Sequence, residues 1–176
     1  FTMVRAAFRL TIGVRSAEES DAEWLVKWEN WNDAAYFTYT EGGVLMGTKY
    51  DREMDALHPT GVAQEMILTK KDGAPFGLIR LQPDRLEGVM RAWVYIRRET
   101  DCADDAVRKG FRGLLKEALG HQQVRKVLVT VSEQEIPLRS FLEAVGFTLA
   151  GVEREGLYLH RRYFNVYHFE AAVEEL

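Results

Sequence analysis

The sequence predicts a single mixed α/β domain, and three observations carry that prediction. Its 176 residues fit one domain with an ample core, with 47% hydrophobic and 28% charged residues. Hydrophobic period switches between 2 and 3.6 along the chain, so that from Met90 onward the order reads strand, helix, strand, helix, strand, strand. No internal repeat, linker or low-complexity stretch divides it.

Phe8 to Val14 alternates weakly and predicts a first strand. Ser20-Asp-Ala-Glu23 has capping-box spacing ahead of Trp24, Leu25, Trp28 and Trp31, which predicts an amphipathic helix. Thr48 and Asp51 cap a second helix presenting Tyr50, Met54 and Leu57 and ending at His58-Pro59. Gln64 to Thr69 and Phe76 to Leu81 flank a turn at Lys71-Asp-Gly73, giving a hairpin. In Met90 to Arg97 the set Met90, Ala92, Val94, Ile96 alternates with Arg91, Trp93, Tyr95, Arg97, the pattern of a strand with two different faces. Asp104 to Leu119 predicts the clearest helix, with Val107, Phe111, Leu114, Leu115 and Ala118 on one stripe and Gly120 at its end. Val124 to Val131 is nearly continuous in apolarity, as in a strand buried on both faces. Pro137 opens a helix carrying Leu138, Phe141, Leu142 and Val145 inward and stopping at Gly146. Phe147 to Arg154 reads as a strand, Glu155-Gly156 as a tight turn, and Leu157 to Phe169 as a long returning strand.

Composition excludes several function classes. A net charge of −4 argues against a nucleic-acid partner, because such proteins use basic surface to displace phosphate counterions. The single cysteine, Cys102, excludes an intrachain disulfide, and with no Cys/His cluster no metal site is expected. A reducing cytoplasm suits it. No apolar run approaches the roughly 20 residues that span a bilayer, so no membrane partner is expected. Phe1-Thr2 ahead of Met3 reads as an appended scar, with residues 1–176 as one domain.

The element order, together with Gly146-Phe147, Gly151-Val-Glu-Arg154 and the closing Tyr163-Phe-Asn-Val-Tyr167, resembles the GNAT acyltransferase superfamily, in particular its branch of ribosomal-protein N-terminal acetyltransferases. The resemblance covers most of the chain, is strongest from Gly88 onward and is poorest between Asp33 and Gly61. It implies a central, mixed, mostly antiparallel sheet flanked by helices, with two splayed central strands matching Met90 to Arg97 and Val124 to Val131. It also implies acetyl-CoA or another acyl-CoA as donor, its pantetheine arm lying between those strands. A main-chain N–H near Val94, Tyr95 or Ile96 then holds the thioester oxygen as a primary amine attacks.

Two departures stand out. The family's R/Q-x-x-G-x-G/A loop holds pyrophosphate on consecutive N–H groups at a helix start. Its place falls on Asp105-Ala-Val-Arg-Lys-Gly110, where only Gly110 survives and two carboxylates, Asp104 and Asp105, sit where an anion belongs. Asp104 and Asp105 are well placed to cap the helix instead. Arg97, Arg98, Arg108, Lys109 and Arg112 flank the place and read either as side-chain phosphate ligands or as a solvated basic face. The second departure is Leu142, which stands where many relatives carry the tyrosine that protonates the leaving thiolate; Ser140 remains a pantetheine neighbour.

Four titratable residues are candidates for moving the amine's proton: Glu87 before the central strand, Glu133 after its neighbour, and Tyr158 and His160, two apart on the expected last strand. Histidine is the residue type whose charge changes near neutral pH, which suits His160 to base work. Trp24, Trp28, Trp31, Tyr36, Phe37 and Tyr39, with Glu29, Asp33 and Glu41 among them, suit either a pocket for a cationic amine or ordinary core packing. Cys102 is a reactive thiol only if exposed. The expected activity is acyl transfer to a small-molecule or peptide amine. Two rivals stay open: a non-catalytic scaffold of the same fold, and a transferase that takes its acyl group from an acyl carrier protein, whose phosphopantetheine lacks pyrophosphate.

Overall fold

The computed structural model describes residues 11–28, 38–39 and 64–176. Seven strands form one sheet: β1 Ile12–Ser16, β2 Gln64–Lys70, β3 Pro75–Pro83, β4 Val89–Ile96, β5 Lys126–Ser132, β6 Thr148–Leu159 and β7 Arg162–Ala172. Among the described residues, the α-helices α1 Ala22–Trp28, α2 Glu99–Cys102, α3 Asp105–Gly120 and α4 Ile136–Val145 accompany them. The spatial order is β1-β2-β3-β4-β5-β7-β6, with every neighbouring pair antiparallel except β4 and β5. The mixed, mostly antiparallel sheet expected from the sequence is therefore present.

The strand alternation sorts side chains into two layers. Met90, Ala92, Val94 and Ile96 of β4 and Val127, Val129 and Val131 of β5 join the larger core with Phe111, Leu114 and Leu115 of α3 and Phe141, Leu142 and Val145 of α4. Trp93 and Tyr95 turn to the other face, packing with Leu25, Tyr39, Ile67 and Leu78, against which Trp24 and Trp28 rest. Core packing is thus the job of these two tryptophans. Trp31, Tyr36, Phe37, Glu29, Asp33 and Glu41, the helix expected from Thr48 to Leu57, and Phe8 to Leu10 lie outside the described residues.

Gly120 ends α3, as expected, and His121 takes the cap position. Two local expectations are corrected. The helix entry is set by Glu18 and Asp21 rather than Ser20 and Glu23, through reciprocal side-chain to backbone bonds around a short 3-10 turn, Glu19–Asp21, ahead of α1. The final hairpin turns at His160-Arg161, both in the left-handed region at φ 54° and 62°, and not at Glu155-Gly156. Glu155, at φ 52°, instead lies in a bulge where the β6–β7 register shifts between Glu153 and Leu157. Tyr158 consequently stands on β6 opposite Tyr163, and His160 stands in the turn, so the two do not share a face of the last strand.

Candidate active site

The parallel β4–β5 pair runs from Val89↔Lys126 to Ala92↔Val129 and stops. Trp93–Ile96 of β4 continue beside β3 as far as Gly77↔Ile96, and Thr130–Ser132 of β5 continue beside β7 as far as Ser132↔Val166. The centre of the sheet thus opens over about 13 Å, taking four residues at strand rise. Which groups face the opening follows from two anchors. Arg97 N–H donates to Phe76 O of β3 (3.0 Å), and Arg125 N–H donates to Gly88 O on the opposite edge (2.8 Å). Alternate residues of a strand send their polar groups to opposite edges. Trp93 and Tyr95 therefore turn their N–H and C=O to β3, and Val94 and Ile96 turn theirs into the gap.

The end of β5 is held away from β4 by its own continuation. Glu133 N–H donates to Asn165 O (2.9 Å), which aims Ser132 at the gap side. Buried Glu135, just before α4, meets it there: Ser132 N–H donates to Glu135 Oε2 (2.5 Å) and Glu135 N–H donates to Ser132 O (3.0 Å). A carboxylate thus takes the partner role that β4 gives up. Glu133 Oε1 accepts Asn165 N–H (2.8 Å), and Arg139 donates to Glu133 O (3.3 Å) while its guanidinium lies 4.1 Å from the Tyr167 ring centroid.

On the helix-covered face, two N–H groups at the start of α3 are already taken. Asp104 caps it, accepting from Ala106 N (2.8 Å) and Val107 N (3.4 Å). Arg108 Nε donates to Cys102 O (2.8 Å), and an Arg112 Nη donates to Glu175 O (3.1 Å). Arg97, Arg98 and Lys109 are exposed. Gly110 is buried in α3 where a Cβ would come within 2.6 Å of Thr11 Oγ1 and 2.9 Å of the Ile12 side chain, so close approach to β1 explains this glycine. Cys102 is buried, and burial, reinforced by the Asp101 carboxylate, pushes its thiol up to about 11.

The four candidate proton carriers are not brought together. Glu87 precedes β4 at its paired end, about 23 Å of strand from Ile96. Glu133 lies at the open end of the gap. Tyr158 and His160 belong to the hairpin that overhangs β5 by about 13 Å on that same end. Ser140 is exposed on α4. Sequence reading missed His168, whose Nδ1 lies 3.1 Å from Thr130 Oγ1 and whose Nε2 lies 3.3 Å from Glu153 Oε2. The partners are 38 and 15 residues away, and only the β5–β7–β6 registers unite them.

On the face that carries Trp93 and Tyr95, Tyr39 OH donates to Glu65 Oε2 (2.7 Å) and an Arg80 Nη donates to Tyr39 O (2.8 Å). The Arg80 guanidinium lies 5.1 Å from the Tyr39 ring centroid and 4.8 Å from that of Trp93. This face is aromatic with both charge signs at its edge.

Solved structures share this architecture across nearly the whole chain. An acetyltransferase of the GNAT family from Bacillus anthracis superposes with a TM-score of 0.72 at 15% identity, covering 94% of this chain and 96% of that one. Spermidine N-acetyltransferase from Vibrio cholerae, in complex with CoA and spermine, gives 0.72 at 14% identity, covering 94% and 97%. The ribosomal L7/L12 alpha-N-protein acetyltransferase RimL, in complex with coenzyme A, gives 0.71 at 14% identity, covering 94% and 96%. No protein-family model and no curated protein matches the chain. The chain therefore has the fold of the GNAT acetyltransferases.

Proposed function

We propose that this protein is an N-acyltransferase that moves an acetyl or related acyl group from a thioester donor to a primary amine by direct attack. The whole chain acts as one catalytic domain in a reducing compartment such as the cytoplasm. The observation that carries the reading is the β4–β5 ladder that ends at Ala92↔Val129, leaving Val94 and Ile96 backbone groups aimed into a gap. A thioester tail in that gap meets fixed N–H donors, which stabilise the oxyanion formed when the amine's lone pair reaches the carbonyl carbon. The matching fold of acetyltransferases solved with CoA supports acyl-CoA as donor.

A second reading of the donor is favoured by the start of α3. Two of its first N–H groups are taken by Asp104, and the Arg108 side chain is bonded to Cys102 O, so fewer donors are left there for a pyrophosphate. An acylated carrier protein, which presents phosphopantetheine without pyrophosphate, avoids this cost, with Arg97, Arg98 and Lys109 meeting its acidic surface.

Calorimetric titration with acetyl-CoA, a longer acyl-CoA and an acylated carrier protein tests both. Saturable one-to-one binding of acetyl-CoA at about micromolar Kd supports the first donor, and turnover with the carrier alone selects the second. Silence toward all three, with no amine acylated, removes the transferase reading and leaves a non-catalytic scaffold.

A further inference from the structure

We infer that Thr130, His168 and Glu153 form a proton relay that deprotonates the attacking amine, with Thr130 as the group that touches it. The inference rests on the transferase reading above. Thr130 is the first residue of β5 beyond the last pair with β4, so it stands at the apex of the gap. Its neighbours Val129 and Val131 point into the core under α3 and α4, so its side chain points to the opposite face, the one carrying Trp93 and Tyr95. A donor entering from the helix side and an amine entering from the aromatic side meet at that apex.

The three side chains are held in line by strand geometry. Thr130 pairs with His168 across β5–β7, and β6 shifts register so that the residue opposite His168 on that side is Gly151, which carries no side chain. The bulge after Glu153 returns the chain so that Gly156 lies against the Glu153 carboxylate, where an added Cβ would stand 2.9 Å from Cδ, while the side chain of Glu153 stays 59% exposed. An ionised carboxylate only accepts, so Glu153 fixes the proton of His168 on Nε2 and leaves Nδ1 to accept from the Thr130 hydroxyl. Facing His168 are Thr130 from β5, Glu153 from β6 and, two residues on along its own strand, Glu170, which pairs with Lys126 of β5.

The step balances without a co-reactant. The neutral amine's lone pair forms the C–N bond as the carbonyl electrons move to oxygen. The nitrogen gives its proton to Thr130 Oγ1, whose own proton passes to His168 Nδ1, and Glu153 stabilises the imidazolium. The oxyanion then collapses, the C–S bond breaks and the thiolate departs with the electron pair, taking its proton from solvent or back through the relay.

The test compares wild type with Thr130→Val, Thr130→Ser, His168→Gln and Glu153→Gln. Acetyl-CoA is the donor, or the acetylated carrier protein if that is what binds, and spermidine and a peptide with a free N-terminus are the acceptors. Removing the hydroxyl or the imidazole is expected to lower kcat about 100-fold, with donor Kd by calorimetry unchanged. Thr130→Ser is expected to retain most activity. Wild-type turnover matched within about threefold by Thr130→Val and His168→Gln overturns the relay and leaves the transferase reading intact. A wild type that acylates neither amine overturns both.

Discussion

At the scale of single residues, Asp21 is the most heavily committed side chain of the described N-terminal segment. Its carboxylate accepts from Arg15 at 2.7 and 2.8 Å, from Trp24 Nε1 at 3.0 Å and from Glu18 N–H at 2.8 Å, and it is 4% exposed. The Arg15 guanidinium, aided by the other donors, holds its carboxyl below the ordinary 3.8. A depressed carboxylate contributes stability that is fully present above the unfolded value and is lost as pH falls through the folded value. Asp21→Asn should therefore cost about 2–4 kcal/mol near neutral pH. The gap between variant and wild type should narrow as acid is added below about pH 4 in urea melts. A gap constant with pH would show that Asp21 acts through shape alone. Cys102 gives a second expectation: with its thiol pushed up to about 11 by burial, iodoacetamide should modify it slowly in the native protein at pH 8 and rapidly in denaturant. Gly110→Ala should destabilise by about 1–2 kcal/mol, because overpacking against Thr11 and Ile12 exceeds the helix-propensity gain of about 1 kcal/mol. Equal or higher thermal stability would show that β1 yields. Residue-level signals with a local cause were legible in the sequence: Gly146 does adopt φ 123° at the end of α4, and Asp104 does cap α3. His168 was not, because nothing near it in the chain announces Thr130 or Glu153.

Elements followed the same logic. β4, α3, β5 and α4 were readable within two residues at each end, since each carries one strong period and a cap or breaker. The β6–β7 hairpin was misread because glycine usually marks the turn, whereas this chain spends Gly156 in a bulge and turns through two residues that carry a Cβ. A two-residue turn with both φ positive is the arrangement Asn-Gly satisfies with least strain. Replacing His160 with Asn and Arg161 with Gly should accordingly stabilise the protein by about 1 kcal/mol, read as a rise in Tm. The β6–β7 register should stay unchanged by NMR. A fall in stability would mean that the native turn side chains contribute more than their backbone strain costs. Gly77 marks the opposite case: a Cβ there would stand 2.5 Å from Tyr95 O, a backbone atom of β4. Gly77→Ala should therefore disturb the β3–β4 pair that supports the gap.

Across the whole molecule, the sheet separates two environments and joins them at one place. α3 and α4 cover one face, aromatic residues around Trp93 and Tyr95 line the other, and the gap between β4 and β5 is where both are within reach. Alternation and burial in the sequence indicated two distinct faces of β4. The gap itself is a property of pairing, invisible in either strand alone, and entered the sequence reading only through resemblance. The start of α3 shows the converse, since its two aspartates were plain in the sequence and the capping by Asp104 follows from elementary helix chemistry.

Hydrogen exchange of the β4 amides by NMR tests the gap most directly. Without donor, the Val94 and Ile96 amides should exchange much faster than those of Trp93 and Tyr95, which face β3; saturating acetyl-CoA, or an acylated carrier protein, should slow Val94 and Ile96 selectively. Equal protection at all four positions before any donor is added, unchanged afterwards, would contradict an open thioester channel in the sheet.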